Sequence, residues 1–211
     1  MFISNLFSNP LAFFIFAIMI VITITLHEFA HAKMADHLGD PTPKLQGRVT
    51  LNPQKHIDPI GLLLLFIVGF GWGRPVQFDP FNLKNPRRDA AIISLAGPVT
   101  NFILALASAA LLRIFTVADV SYLTTIGSLL LIPFISINVL LGLFNLIPIA
   151  PLDGFKIVGG ILSPKQAEEW HKLERYGIIF LLAFIFPFGD GSMLQMFLSP
   201  VIQWVTNLLI P

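Results

Sequence analysis

Two histidines and a glutamate stand together near the end of the first apolar stretch, in the order His27-Glu28-Phe29-Ala30-His31. Residues four apart differ by about 40° around a helix, so both imidazoles project from one face and can chelate one metal ion. Neutral imidazole suits zinc, and a catalytic zinc usually has three protein ligands and one water. Glu28 lies beside that face, where a carboxylate can accept a proton from an attacking water. The pattern predicts a hydrolytic zinc site.

The apolar segment that carries this motif supports a functional interpretation of it. No residue from Met1 to Leu26 is charged, so the motif ends a stretch that is apolar enough to cross a membrane. Ionisable groups at membrane depth cost a few kcal/mol or more each, and they normally mark a functional interior. The alternative interpretation is that the three residues are surface residues at the end of a helix.

The other histidines are weak candidates for a third ligand. His37 lies six positions after His31, about 240° further around the helix, and therefore faces away. His171 belongs to a polar amphipathic stretch in which a solvated side chain is expected. His56 lies in a loop near the predicted membrane interface, and the sequence does not assign it a role.

Asp153 is the stronger candidate for the third ligand. It ends an uncharged run in which Pro148 and Pro151 break the helix. Gly154 then permits a sharp turn that can aim the carboxylate inward. Asp153 and His27 also lie near the ends of two spans that are expected to finish on the same side of the membrane. The alternative is an ordinary Asp-Gly turn where a helix ends.

The composition places the whole chain in a membrane. Of 211 residues, 55% are hydrophobic and 12% are charged, against about 25% charged residues in an ordinary soluble domain. The net charge of +1 argues against a nucleic-acid partner, which would require a basic face. The chain has no cysteine, which excludes disulfides, thiolate metal ligands and a cysteine nucleophile.

The hydropathy pattern predicts an all-α integral membrane protein of about five transmembrane helices, plus a re-entrant segment with short β-like loops. A spanning helix needs about 20 mostly apolar residues. The expected spans are the first apolar stretch through Ala30, Ala90–Leu112, a span inside Val120–Leu152 that begins near Gly127, and two weaker runs at Tyr176–Phe188 and Met193–Ile210. A turn at Phe188-Gly189-Asp190-Gly191 separates the last two.

The run from Gly61 to Trp72 is too short to cross a membrane. Twelve residues of helix reach about 18 Å, whereas the hydrocarbon core is about 30 Å thick, so a re-entrant segment is predicted. Arg48–Leu51 and Pro75–Phe78 flank it and are β-like in composition. An unwound substrate could add to one of them as a strand. The alternative is a pair of ordinary loops at the interface.

Basic residues give the orientation. They follow the first span, precede the second and follow the third, so the positive-inside rule predicts a cytoplasmic position for these stretches and an outside amino terminus. The active site is then expected near the cytoplasmic side of the cell (plasma) membrane. Residues 1–211 are predicted to form a single polytopic membrane domain, with a catalytic core of about 11–160 and C-terminal helices of about 163–211.

Three motifs, in this order, resemble the site-2 protease family of intramembrane zinc metalloproteases, and in particular its small prokaryotic members. They are H-E-F-A-H at residues 27–31, G-P-V-T-N at 97–101 and N-L-I-P-I-A-P-L-D-G at 145–154. The loop at residues 47–61 is also similar. The resemblance implies that His27, His31 and Asp153 ligate one Zn²⁺ per chain and that Glu28 is the catalytic base.

The resemblance further implies cleavage of transmembrane protein substrates in the lipid bilayer. Asn101 and Asn145 match family positions near the substrate or the transition state, although interhelical packing explains a membrane asparagine equally well. A membrane transporter and a non-catalytic scaffold of the same fold are the alternative functions. The sequence does not indicate the substrate or the oligomeric state.

Overall fold

The computed structural model describes residues 8–119, 121–186 and 192–210. In these ranges the chain is helical, which confirms the all-α prediction, and the isolated β-bridge found there joins Ile57 to Gly73. The α-helices are α1 (Pro10–Leu38), α2 (Thr42–Leu45), α3 (Pro59–Val68), α4 (Pro86–Val117), α5 (Ser121–Asn145), α6 (Asp153–Ile161), α7 (Pro164–His171), α8 (Gly177–Ile185) and α9 (Met193–Leu209). Short 3-10 turns cover Pro53–Lys55, Pro80–Asn82 and Glu174–Tyr176.

Among the described residues, three helices are long and apolar enough to cross a membrane, namely α1, α4 and α5. The third predicted span begins earlier than expected, because α5 is already helical at Ser121. Helices α8 and α9 have 9 and 17 residues, so each is shorter than an ordinary span. The fourth and fifth spans stay predictions, and the predicted turn at 188–191 lies outside the described residues.

The β-like segments at Arg48–Leu51 and Pro75–Phe78 are not strands in the structure, so the strand interpretation was wrong and the alternative of ordinary loops is confirmed. A strand needs a neighbouring strand to accept its backbone hydrogen bonds. Here the Arg48 side chain, rather than a neighbouring backbone, donates to the carbonyl oxygens of Arg74 and Pro75. A side chain therefore takes the place of the expected ladder.

The chain forms two compact units, residues 1–84 and 85–211. In the first unit, α1 buries mostly small and polar residues and exposes many of its large apolar ones. The buried stripe repeats every four residues and consists of Met19, Thr23, His27, His31 and Ala35. The exposed side chains include Leu11, Phe14, Ile18 and Ile22. A soluble helix shows the opposite arrangement, so the outer face of α1 suits lipid.

The segment around α3 is a hairpin whose ends meet. Ile57 pairs with Gly73, and the backbone N–H of Arg74 donates to the carbonyl of His56 over 2.7 Å. The 10 residues of α3 reach about 15 Å, and the Asp58 carboxylate caps the helix at its start. The segment therefore enters and leaves at one end, as a re-entrant segment would, while its insertion into a membrane stays a prediction.

Asp40 joins the end of α1 to the last part of the first unit. Its fully buried carboxylate accepts hydrogen bonds from Thr42, from the N–H of Asp79 and from the Asn82 amide. Burial alone would raise the pKa of Asp40, but these hydrogen bonds outweigh it and hold the pKa below its usual value. The ionised carboxylate thus fixes the turn at residues 79–82.

In the second unit, small side chains allow α4 and α5 to pack closely. Ala105 and Ala109 of α4 form a buried cluster with Ile135 and Val139 of α5, and partly buried side chains of α9 cover it. In the same unit, α5 ends at Asn145 and a turn leads into α6. A Cβ on Gly154 would overlap the carbonyl oxygens of Leu146 and Ile147. Gly154 therefore serves close backbone approach at the start of α6, rather than the sharp turn expected from the sequence.

Candidate metal centre and base

His27 and His31 meet on the buried stripe of α1, as their spacing predicts. The side chains are 4% and 6% exposed, and their Nε2 atoms lie 3.0 Å apart. Two imidazole nitrogens bound to one tetrahedral zinc at about 2.05 Å would be about 3.4 Å apart. A slight opening of the pair reaches that separation, so the two histidines fit a shared zinc ion.

The carboxylate of Glu28 is held from two sides in the first unit. Its Oε2 accepts a hydrogen bond from the Val76 N–H over 3.1 Å and lies 3.9 Å from Nη2 of Arg48. The Glu28 side chain is 12% exposed. Oε1 accepts no hydrogen bond from the described part of the chain. The surrounding chain therefore fixes one of the two carboxylate oxygens of Glu28.

Arg48 connects Glu28 to the extended segment at residues 74–76. Its guanidinium donates to the carbonyls of Arg74 and Pro75, and the residue is 5% exposed. Its Nε has no hydrogen-bond partner among the described residues. Burial lowers the pKa of Arg48, Glu28 opposes this shift and Arg74 adds to it. The guanidinium holds segment 74–76 in the position from which the Val76 N–H reaches Glu28.

Gly73 permits this segment to pass close to α1. A Cβ on Gly73 would lie 2.9 Å from Cγ2 of Ile24 and 3.2 Å from the carbonyl oxygen of His56. The same Cβ would lie 3.5 Å from Oε1 of Glu28. Any larger residue at this position would push the segment away from the glutamate.

His56 is a fully buried, hydrogen-bonded part of the loop. Its Nε2–H donates to the carbonyl of Thr50 over 2.7 Å, and its Nδ1 has no hydrogen-bond partner among the described residues. Burial is the main cause that lowers the pKa of His56, and the nearby Arg48 lowers it further. A neutral His56 therefore stabilises the loop that carries Arg48.

The other predicted site residues lie in the second unit. Asp153 is the first residue of α6 and is partly buried. Asn145, the last residue of α5, is partly buried and donates to the carbonyl of Leu141 over 3.1 Å. Asn101 is fully buried, and its amide donates to Oδ1 of Asn138 over 3.1 Å. The hydrogen bond of Asn101 is the interhelical contact that the packing interpretation expects.

Sequence reasoning did not identify Arg48, the Val76 N–H or Asn138. The sequence indicates Arg48 only as the first residue of a β-like segment. A basic residue beside a predicted intramembrane glutamate was the available signal, but 20 positions separate the two in the sequence. Backbone donors such as Val76 N–H leave no mark in the sequence at all.

Comparisons with known proteins find one matching family model and several relatives. The family model of peptidase family M50 matches residues 15–125 and 114–186. The chain is 40% identical over 177 residues to a Bacillus subtilis protein named "Putative zinc metalloprotease YwhC", covering 82% of this chain and 81% of the relative. It is 29% identical over 211 residues to a Mycobacterium tuberculosis protein named "Putative zinc metalloprotease Rip2", covering 95% and 77%.

A more distant similarity extends to an archaeal protein. A Methanocaldococcus jannaschii protein named "Zinc metalloprotease MJ0392" is 27% identical over 161 residues, which cover 76% of this chain and 38% of that protein. No solved structure matches the chain. The names of these relatives agree with the zinc chemistry that the two histidines fit.

Proposed function

Since the chain belongs to peptidase family M50, the site-2 protease family, we propose that this metalloprotease hydrolyses peptide bonds of transmembrane protein substrates. The proposal depends above all on one observation, the carboxylate of Glu28 fixed next to two facing imidazoles on a helix apolar enough to span a membrane. A buried, oriented carboxylate beside a metal-binding pair is the arrangement that activates water for hydrolysis.

His27, His31 and Asp153 would hold one Zn²⁺ per chain. Two imidazoles and one carboxylate form a common catalytic zinc ligand set, which leaves a fourth position for water. A bound zinc would lower the pKa of its water toward about 7 and polarise the scissile carbonyl. The facing Nε2 atoms support the histidine half of this set, and the sequence motif at residues 145–154 supports Asp153.

Glu28 would act as the general base. Its Oε1 accepts a proton from the attacking water and then gives that proton to the leaving amine. The Val76 N–H and the Arg48 guanidinium keep Oε2 in place during both transfers. The position of the base matters because a displacement of about 1 Å can greatly lower the reaction rate. Arg48 is thus a positioning residue for the base.

The active site would lie within the membrane, near the cytoplasmic side of the plasma membrane. The basic residues around the spans support this orientation. A helical substrate shields its carbonyls with internal hydrogen bonds, so it has to unwind locally before hydrolysis. Asn145 is the better candidate for donating to the oxyanion, because it is only partly buried, whereas Asn101 is fully buried and bonded across the helices to Asn138.

A reconstituted cleavage assay tests the proposal. The purified chain is placed in liposomes with single-span substrates, and we expect cleavage that a zinc chelator and Glu28→Gln both abolish. Asp36→Asn is the matched control, because Asp36 is another carboxylate of α1 and pairs with the exposed Lys33. Cleavage by Glu28→Gln at the wild-type rate would show that Glu28 is not the base. Substrate transport without cleavage would favour a transporter instead.

A further inference from the structure

A basic cavity opens on the first unit beside Arg48. It has a volume of about 350 Å³ and is lined by Gln46, Arg48, Lys55, Arg74 and Gln77. Three of these side chains are cationic, two are neutral amides with N–H donors, and none is a carboxylate. Cations combined with amide donors are the groups that bind phosphate oxygens.

The backbone at the three cations is fixed by hydrogen bonds. The N–H of Arg74 donates to His56, and its carbonyl accepts from Arg48. Lys55 ends a 3-10 turn that the Asn52 side chain caps. The cations therefore come from two segments, the loop that carries Arg48 and Lys55 and the segment that carries Arg74, and the fold holds both around one opening. Binding an anion there would require little ordering of the backbone, which favours affinity.

The charges around the cavity are unbalanced. Arg48 is nearly buried, and its described ion-pair partner is Glu28, at 3.9 Å. Arg74 has the same sign and lies close enough to disfavour the charged form of Arg48, while the Nε of Arg48 has no described partner. A buried cation with a like charge nearby is costly unless an anion compensates it. An anion in the cavity would supply that compensation.

A membrane-spanning α1 would place the cavity at the depth of the lipid headgroups. The uncharged part of α1, Pro10 to Leu26, reaches about 26 Å, and the whole 29-residue helix reaches about 43 Å, more than the roughly 30 Å of hydrocarbon. In such a placement, Glu28, and with it Arg48, would lie near the end of the apolar layer. Trp72 and Leu51 are exposed close by in the sequence, as is typical of residues at a membrane interface.

We propose that this cavity binds a phosphate group, and that an anionic phospholipid headgroup is its source. The phosphate would be held by Lys55, Arg74 and the two glutamines, above the guanidinium of Arg48. A lipid in this position would stabilise the loop that carries Arg48 without taking part in hydrolysis. The proposal therefore does not depend on the proposed protease activity.

Lipid retention measured by native mass spectrometry tests the proposal. The full chain is released from nanodiscs that contain equal amounts of phosphatidylglycerol and phosphatidylcholine with the same acyl chains. We expect at least a tenfold preference for phosphatidylglycerol on the wild type. The double variant Lys55→Gln/Arg74→Gln should lose most of that preference. The double variant Lys44→Gln/Lys84→Gln removes two exposed charges of the same unit outside the cavity, and it should retain the preference.

A second variant keeps all three cations of the cavity. Gln77→Glu places a negative charge in the cavity, so we expect it to lower phosphatidylglycerol retention by itself. Equal retention by the wild type, the cavity variants and the control variant would overturn the site. Binding of inorganic phosphate without any preference for phosphatidylglycerol would overturn the lipid source. Retention of an acidic substrate peptide in place of lipid would overturn it as well.

Discussion

Each unit has a pair of polar side chains with little exposure, Asn101 with Asn138 and Glu28 with Arg48. The two pairs differ in charge and in whether all their N–H donors have described hydrogen-bond partners. Asn101 and Asn138 are neutral amides, fully buried and joined over 3.1 Å, and Asn138 also donates to the carbonyl of Phe134. Glu28 and Arg48 are opposite charges 3.9 Å apart, with an Arg48 Nε that has no described partner.

In the proposed mechanism, the neutral pair serves packing and the charged pair serves chemistry. A neutral amide pair loses little on leaving water, and interhelical bonds of this kind stabilise membrane bundles by about 0.6 kcal/mol on average. Burying an ion pair has a large desolvation cost that the attraction between the two charges need not offset. Such a pair is therefore weak evidence for a stabilising role. The proposed mechanism gives the charged pair a chemical role beside His27 and His31.

The largest effect is expected at the metal ligands. His31→Ala should remove bound zinc and reduce cleavage to the background rate, because one imidazole cannot hold the ion at the site. His37→Ala is the matched control, since His37 is an exposed histidine of the same helix. Metal analysis and the cleavage assay give both readouts. One zinc per chain retained in His31→Ala would remove this pair from the metal site.

Replacing Asn145 should affect catalysis, whereas replacing Asn101 should affect stability. Asn145→Ala is expected to lower kcat about 100-fold, which corresponds to the roughly 3 kcal/mol that an oxyanion donor contributes. Asn101→Ala should leave kcat within about threefold and instead lower the free energy of unfolding by about 1–2 kcal/mol. Unfolding in detergent and steady-state kinetics measure the two quantities. A 100-fold loss of kcat in Asn101→Ala would make Asn101 a catalytic residue.

Arg48 should affect turnover more than substrate binding. Arg48→Gln is expected to lower kcat about 10-fold with KM and zinc content little changed, since a hydrogen bond or ion pair to a charged group contributes about 1.5 kcal/mol. Arg48→Lys should recover part of the loss, because lysine keeps the charge but not the planar fork. A raised KM with unchanged kcat in both variants would contradict a role in positioning the base.

The smallest effect concerns the pH dependence of stability. Burial lowers the pKa of His56 in the folded protein, so the unfolded chain binds this proton more readily. The contribution of His56 to stability is therefore complete above the unfolded pKa of about 6.5 and is lost as the pH falls below it. Thermal unfolding in detergent between pH 8 and 5.5 should show a smaller loss in His56→Gln than in wild type. His171→Gln, at an exposed site, should behave as wild type does.

The parts of the fold that local patterns encode were predicted from the sequence. The spacing of His27 and His31 fixed their common face, and hydropathy located the three long helices. At the start of α7, the N–H of Ser163 donates to Oε1 of Gln166, a capping pattern that neighbouring residues also encode. Each of these features depends on residues only a few positions apart.

Features that depend on distant residues were missed. The β-like composition of residues 48–51 could not reveal that Arg48 binds carbonyls 26 and 27 positions away. The pairing of Asn101 with Asn138 spans 37 positions and requires the register between α4 and α5. That register depends on how Ala105 and Ala109 pack, which hydropathy does not specify.

The central claim is that Glu28 does the proton transfer while the histidines hold the metal, and one paired measurement on Glu28→Gln tests it most directly. Zinc per chain and the single-turnover cleavage rate are measured on the same purified sample. We predict one zinc per chain and a rate at least about 100-fold below that of the wild type, as for loss of a general base. Full zinc occupancy with the wild-type rate would contradict the claim.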